Sequence, residues 1–222
     1  MKLVYPEIDH VFDTRCGKVP SLVIENQALM YRLLCDLRAQ LLGKEGKCVV
    51  SLGGRVLPTE KSVELLSEFV PFTLNKKALV NRASVILERS VMEGEFYGEA
   101  VELAGLVESF LLKASAGLTG DVFFSRVGFS DLLKASGLEF REDYASLGEK
   151  LLDYMELVSE YEGEKLFVLY NLRCLISDRE AELFLDSVLR HGYNALILDG
   201  CEHARLSGEQ RYLVDEDLCE IC

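Results

Sequence analysis

The sequence predicts an α/β fold, in which helices flank a mostly parallel sheet and an α-helical lobe is inserted between the strands. Four short apolar runs, at residues 22–25, 48–52, 166–170 and 195–199, lack the polar alternation of half-exposed strands. Such runs are typical of strands that are covered on both faces. Helical patterns separate the runs, and connections of helix length imply parallel neighbours.

The helices next to these runs are predicted from their caps. Asn26 is a favoured N-cap residue, and the leucines after it recur with the helical period as far as Leu42, where Gly43 ends the pattern. Ser177 begins a Ser-x-x-Glu capping box, which opens a helix predicted to end before Gly192.

A long section without a strand signal separates the second and third of the β–α units. Its predicted helices span residues 76–92, 95–116, 130–136 and 146–161. One apolar stripe follows the helical period there; its members are Phe96, Leu103, Val107, Phe110 and Leu111. The sequence therefore predicts a discontinuous α/β domain over residues 1–74 and 163–222, with a helical lobe at residues 75–162.

The charge of the chain limits where a polyanion could bind. The chain has 222 residues and a formal net charge of −13, which argues against a generally basic nucleic-acid binder. Residues 1–93 carry 13 basic and 11 acidic side chains, whereas residues 94–222 carry 11 and 26. A surface for a polyanion is therefore expected in the first part of the chain.

The composition predicts a soluble, cytoplasmic protein. The sequence has no apolar stretch of the length that a secretory signal or a membrane span requires. Its seven cysteines are an odd number without the spacing of a disulfide framework. Cys35, Cys48 and Cys174 have apolar neighbours and are predicted to be reduced core residues, which suits the cytoplasm.

Residues 53–62 place two glycines and a Lys-Ser pair in the order of a phosphate-binding loop. The residues differ from the pattern of that loop at two positions. Glu60 stands where a glycine must precede Lys61, and Arg55 stands where a glycine is required six residues before Lys61. A carboxylate at the start of the following helix would repel phosphate. The favoured interpretation is a turn between a strand and a capped helix, with nucleotide binding as the alternative.

No catalytic centre is recognisable. Asp199 ends the fourth apolar run and resembles the strand-ending aspartate that holds Mg²⁺ in nucleotide hydrolases. Because a phosphate loop is missing, the favoured interpretation is the end of a buried strand. The sequence has three histidines and no Gly-x-Ser-x-Gly elbow. The chain is therefore expected to act by binding and not as an enzyme.

Two groups near the C-terminus have metal-binding residue types. The zinc-type ligands are Cys201, His203, Cys219 and Cys222. The acidic group, which has the residue types of a metal-dependent nuclease, is Asp215, Glu216, Asp217 and Glu220. Free cysteines and a solvated acidic segment are the favoured interpretations, so no metal ligand is predicted.

Basic side chains are the candidates for contacts with a nucleic-acid backbone: Arg55, Lys61, Lys76, Lys77 and Arg82. The first two lie on the predicted strand–helix turn, at the carboxyl end of a parallel strand, where α/β sheets usually meet ligands. The other three open the helical lobe. One subunit offers few cations to a phosphate backbone, so an oligomer would multiply them.

Three segments give the chain a family resemblance. They are Leu-Val-Ile-Glu-Asn at residues 22–26, Lys-Leu-Phe-Val-Leu-Tyr-Asn-Leu at 165–172 and Tyr-Leu-Val-Asp-Glu-Asp-Leu at 212–218. In this order around a helical insertion, they resemble the CRISPR-associated spacer-acquisition protein of type II-A systems over nearly the whole chain. The resemblance implies a degenerate phosphate-loop ATPase-like fold that has lost nucleotide binding.

The same resemblance implies a function. Members of the family form homotetrameric rings with a positively lined hole and bind the ends of linear double-stranded DNA without sequence specificity. They assist the CRISPR integrase complex and the type II effector nuclease in acquiring spacers. Calcium stabilises these rings, but residues 121–131 contain only Asp121 and Asp131 as acids, so no calcium ligand is assigned. The alternatives are a degenerate nucleotide-binding regulator and a protein-interaction scaffold that touches no DNA.

Overall fold

The computed structural model describes residues 1–221, and Cys222 lies outside them. The chain divides into two compact units, which we call the α/β unit and the helical unit. The α/β unit comprises Met1–Phe72 and the chain from Asp143 onwards, and the helical unit comprises Thr73–Glu142. The helix predicted at residues 146–161 as part of the lobe belongs to the α/β unit in this division.

Strands and helices alternate along the α/β unit, which confirms the predicted α/β class. The strands are β1 (Lys2–Val4), β2 (Val11–Asp13), β3 (Val19–Ile24), β4 (Val49–Leu52), β5 (Arg55–Leu57), β6 (Val63–Leu66), β7 (Leu166–Tyr170), β8 (Asn194–Asp199), β9 (Glu209–Val214) and β10 (Glu220–Ile221). The α-helices are α1 (Gln27–Leu41), α2 (Thr59–Ser62), α3 (Lys77–Glu93), α4 (Tyr97–Ala114), α5 (Phe129–Ser136), α6 (Leu147–Glu162) and α7 (Asp178–His191).

The main sheet has six strands in the order β10-β9-β3-β8-β7-β6. All of its neighbouring strands run parallel except β10, which pairs with β9 in the antiparallel direction. Three of the four predicted runs lie in β3, β7 and β8 at the centre of this sheet. The mostly parallel sheet is therefore confirmed.

The central strands are buried on both faces. Leu22 of β3 and Leu198 of β8 belong to a core that α1 and the short strands β1, β2 and β4 share. The residues between them along the strands, such as Val23 and Ile197, are equally buried and point to the opposite face. Helix α7, which packs against α6, contacts β3. This arrangement accounts for the lack of polar alternation in the sequence.

The predicted run at residues 48–52 does not join the parallel sheet. Its strand β4 pairs antiparallel with β1 and β5 in a four-stranded sheet ordered β2-β1-β4-β5, and Val49 is 42% exposed. The prediction of a parallel strand there was wrong, because an apolar run does not specify its partner. The edge strand of the parallel sheet is β6, in a segment that the sequence assigned to a helix.

Both predicted helix caps are confirmed. The Asn26 side chain accepts a hydrogen bond from Leu29 N at 2.9 Å, and the Ser177 hydroxyl accepts one from Glu180 N at 3.2 Å. Gly192 ends α7 in the left-handed conformation, with φ of 72°, which glycine adopts without steric cost.

The helical unit consists of α3, α4 and α5, and α4 contacts the other two. Asn75 closes the unit near its two ends, because its amide bonds to both the backbone N–H and the carbonyl oxygen of Phe140, at 2.7 and 3.0 Å. The buried apolar residues of this unit among the described residues are few: Leu74, Leu79, Ala83, Val91 and Ala100.

Candidate nucleic-acid interface

The glycine pair in residues 53–62 forms the turn of a β-hairpin. Gly53 and Gly54 connect β4 to β5, with φ values of 57° and 81°. A two-residue hairpin turn with positive φ at both positions is the type that glycine pairs favour. Arg55 is exposed and begins β5. The prediction that it follows a parallel strand was wrong, because β4 belongs to the antiparallel sheet.

Lys61 lies in the short helix α2, which comes immediately before β6. It is therefore near the amino end of a parallel strand and not near a carboxyl end, which corrects the predicted position. Its neighbour Ser62 is 5% exposed and donates its hydroxyl to the carbonyl oxygen of Pro58 at 2.8 Å. That hydroxyl is committed to the backbone, so residues 53–62 lack the shape and the donor of a phosphate loop.

Lys76, Lys77 and Arg82 lie at the start of α3, as predicted for the beginning of the lobe. Lys76 is the N-cap residue, and the first turn contains no acidic side chain. The unpaired N–H groups of a helix start add to the positive potential of nearby cations. Lys77 and Arg82 are exposed. Glu142 also lies at this start, because its carboxylate accepts a hydrogen bond from Asn75 N at 3.2 Å. The start of α3 therefore combines three basic side chains with a carboxylate.

Some surface cations have carboxylate partners and others do not. Arg32 and Lys47 both pair with Glu7, at 2.7 and 3.0 Å, and Arg15 pairs with Glu164 at 2.5 Å. In contrast, Arg55, Lys61 and Lys77 are exposed and have no carboxylate within ion-pair distance among residues 1–221. Their charges are available for an anionic partner.

The place that a phosphate loop would occupy in the parallel sheet is the connection from β3 to α1. It consists of Glu25 and Asn26 alone. Asn26 caps α1, and its amide also donates to the carbonyl oxygen of Glu216 at 2.8 Å. This connection is too short for a glycine-rich cradle, and its helix start is already capped by a side chain.

Asp199 is the last residue of the buried strand β8, as the sequence predicted, and is 1% exposed. Burial raises the pKa of its carboxyl to about 6, although Arg173 opposes the rise. Nearby, the buried Glu209 forms ion pairs with Arg211 at 2.5 Å and with Arg173 at 3.6 Å. The α/β unit therefore contains a buried charged cluster at this end of β8.

The acidic segment near the C-terminus has a structural role. The Asp215 carboxylate accepts hydrogen bonds from the backbone N–H groups of Asp217 and Cys219, at 2.9 and 2.7 Å. Glu220 accepts a hydrogen bond from Asp9 N and pairs with His10. These acids therefore fix a turn and a strand end. No acidic metal-binding group forms there among residues 1–221.

The four C-terminal residues of zinc-binding type, which the sequence analysis interpreted as free side chains, are brought together only in part. Cys201 lies near His203, whereas Cys219 is not grouped with them and Cys222 lies outside the described residues. The structure adds Cys174, which the sequence treated as a core residue. Cys174 and Cys35 are exposed, so that prediction was wrong for both, and Cys48 alone of the three is buried.

One feature that the sequence did not identify is the exposure of the helical unit. Leu106 and Phe110 of α4 are each 68% exposed, and Leu103 is 49% exposed. The predicted apolar stripe is therefore present, but much of it faces away from the core. Leu103 and Leu106 also line a groove with Phe129 of α5. Apolar patches of this kind mark interaction sites on soluble proteins.

Within residues 1–221, no helix combines the length and the apolarity needed to cross a membrane. The fold is similar to the crystal structure of Stu0660 of Streptococcus thermophilus, with a TM-score of 0.57 and 17% sequence identity over 91% of this chain and 70% of that one. At this identity the likeness is one of fold. No curated protein gives a significant sequence match. The sequence model of the CRISPR-associated protein family Cas_Csn2 matches residues 40–218, so the chain belongs to this family, the Csn2 proteins of type II-A CRISPR systems.

Proposed function

We propose that the chain is a non-catalytic clamp for DNA ends in CRISPR spacer acquisition. It assembles as a homotetrameric ring, and the ring encloses linear double-stranded DNA without reading its sequence. The observation that carries the proposal is the family match over residues 40–218. In this role the ring presents DNA ends to the CRISPR integrase complex and the type II effector nuclease.

The exposed apolar side chains of α4 support self-association. Leu103, Leu106 and Phe110 recur at intervals of three and four residues, so they lie on one side of the helix. Burial of exposed leucine and phenylalanine side chains against a second surface removes them from water and lowers the free energy of the assembly. A second copy of the chain offers a matching apolar surface, as symmetric oligomers require.

The unpaired cations support contact with phosphate. Arg55 and Lys61 of the α/β unit, and Lys77 of the helical unit, are exposed without a carboxylate partner among residues 1–221. In a homotetramer each of these cations is present four times, which multiplies the contacts available to a phosphate backbone. The chain carries a net charge of −13, so DNA would be attracted where basic side chains are concentrated and repelled by the chain as a whole.

The connection from β3 to α1 supports descent from a phosphate-loop ATPase-like fold without nucleotide binding. A parallel sheet with a helix after a central strand is the framework that places phosphate at a helix start. Here Asn26 occupies that place as a cap. A degenerate nucleotide-binding regulator would need an anion site there.

The first test compares linear with closed-circular duplexes of the same sequence in a mobility-shift assay at low and moderate salt. A clamp that threads over ends binds the linear duplex, and its affinity falls steeply with salt. Equal affinity for both topologies would contradict the proposal. A blunt-ended linear duplex with bulky groups at both ends serves as the matched control, because it keeps the length and charge but blocks threading.

Two further measurements test assembly and the nucleotide alternative. Light scattering should give the mass of four chains, measured in Ca²⁺ and in EDTA to establish whether calcium contributes. A thermal-shift assay with ATP and Mg²⁺ should leave the melting temperature unchanged, because only a ligand that binds the folded state raises it. A rise of several degrees would favour the nucleotide-binding regulator.

A further inference from the structure

Two cysteines and a histidine converge at the carboxyl ends of two neighbouring parallel strands. Cys174 ends the 3₁₀ turn that follows β7, and Cys201 and His203 lie in the loop after β8. The ligand atoms of the three side chains all lie within 4.8 Å of one another. Since β7 and β8 are hydrogen-bonded neighbours, the sheet itself brings these distant residues together.

The spacing of the donor atoms fits tetrahedral coordination of zinc. Cys201 Sγ lies 3.6 Å from His203 Nε2. Zinc bonds of about 2.3 Å to sulfur and about 2.0 Å to nitrogen place two such atoms roughly 3.6 Å apart at the tetrahedral angle. Two sulfur ligands would lie roughly 3.8 Å apart on the same geometry. Cys174 is exposed, so its side chain can rotate to that distance.

The backbone that carries these ligands is held by hydrogen bonds with two side chains. The Asn171 side chain accepts a hydrogen bond from Gly200 N at 3.0 Å, which joins the loop after β7 to the loop after β8. Arg211 is buried and donates to the carbonyl oxygens of His203 and Ala204, at 2.6 and 3.0 Å. Ligands on a fixed backbone are preorganised for a metal ion.

The chemistry of the donors selects a particular class of metal. Two thiol groups and an imidazole suit zinc, whereas calcium and magnesium require oxygen ligands. Asp199, two residues before Cys201, is 1% exposed, and its Oδ1 has no hydrogen-bond partner among the described residues. The buried Arg173 and Arg211 lie near the same carboxyl group, so the donor atoms and not the surrounding charge select the metal.

We propose that Cys174, Cys201 and His203 bind one Zn²⁺ ion per chain, with water in the fourth coordination position. Three protein ligands with one open position are a common zinc arrangement. The ligands are distinct from the basic residues proposed for DNA, so this site does not depend on the proposed function. The site includes Cys174 in place of Cys219 and Cys222, which the sequence grouped with Cys201 and His203.

The test is a titration of the metal-free, reduced chain with Co²⁺, followed by Zn²⁺. We expect one equivalent of Co²⁺ to produce thiolate-to-metal charge-transfer absorption, and Zn²⁺ but not Ca²⁺ to abolish it. Cys174→Ser and Cys201→Ser should remove this absorption. His203→Ala should weaken Zn²⁺ binding by about tenfold or more, since loss of an outer-shell partner alone has an effect of that size.

Cys16→Ser and Cys219→Ser are the matched controls, because both residues are exposed cysteines outside the cluster. Both controls should bind Co²⁺ as the parent does, and circular dichroism in EDTA should be the same for every variant. The proposal is wrong if no charge-transfer absorption develops, if it survives Cys174→Ser, or if it requires Cys219.

Discussion

The two units of this chain differ in which side chains they bury and which they expose. The α/β unit buries its central strands and also a set of charged groups, including Arg173, Glu209 and Arg211. The helical unit buries five apolar residues and no charged one among the described residues, yet it holds 15 of the 25 exposed large apolar side chains. A unit with a filled core is stabilised from within. A unit with exposed leucines and phenylalanines would gain stability if a partner covered them.

The largest expected effect comes from removing one member of an ion pair in each unit. Glu209→Ala should lower the free energy of unfolding by about 3–5 kcal/mol, because it removes the buried carboxylate that Arg173 and Arg211 share. The other carboxylate partners of the two arginines are more than half exposed and compensate less. Glu93→Ala removes the partner of Arg89 in the helical unit, where both side chains are more than 70% exposed. That change should cost about 0–0.5 kcal/mol. Urea unfolding curves measure both values, and similar costs would contradict the contrast.

A smaller effect is expected when one leucine in each unit is truncated. Leu198 of β8 is 0% exposed, so Leu198→Ala should lower the free energy of unfolding by about 2–4 kcal/mol through reduced burial and the cavity that remains. Leu106→Ala should change the stability of the monomer by less than about 0.5 kcal/mol, because that side chain is 68% exposed. Unfolding must be measured at dilution, where association does not contribute.

Local signals in the sequence predicted much of the α/β unit. The apolar runs of β3, β7 and β8 and the caps Asn26 and Ser177 depend on neighbours within a few residues, and the structure confirms them. The family is also confirmed, although its match begins at residue 40, after the Leu-Val-Ile-Glu-Asn segment. Such signals are reliable because the spacing of apolar residues along the sequence follows the geometry of the helix or strand that buries them.

Signals that depend on distant partners were missed. The strand β6 contains Glu64, whose carboxylate accepts a hydrogen bond from Tyr154 at 2.5 Å and lies 3.6 Å from Lys165. Nothing within a few residues of Glu64 indicates these partners. The pairing of β4 with β1 is likewise remote in sequence. Cys174 joins Cys201 only because β7 and β8 are adjacent, although both cysteines follow predicted strands, and that signal could have been used.

A new negative charge on the helical unit should weaken association between copies of the chain, whereas the same charge on the α/β unit should not. Leu106→Glu places a carboxylate on the exposed apolar side of α4, so it should raise the dissociation constant of the oligomer by about tenfold or more. Leu42→Glu is the matched control, because Leu42 is 64% exposed at the end of α1. Light scattering across a dilution series measures both. An unchanged mass for Leu106→Glu would mean that another surface joins the copies.

The smallest expected effects per residue concern DNA, and they distinguish which unit binds phosphate. Lys61→Glu tests the α/β unit and Lys77→Glu tests the helical unit, since both lysines are exposed without a carboxylate partner among residues 1–221. Removing one lysine that binds a phosphate should reduce the slope of log affinity against log salt by about 0.9. Lys44→Glu, an exposed charge reversal outside the candidate set, should change the slope less than either. If only Lys77→Glu reduces the slope, the helical unit provides both the association surface and the DNA-binding cations, and the α/β unit acts as their support.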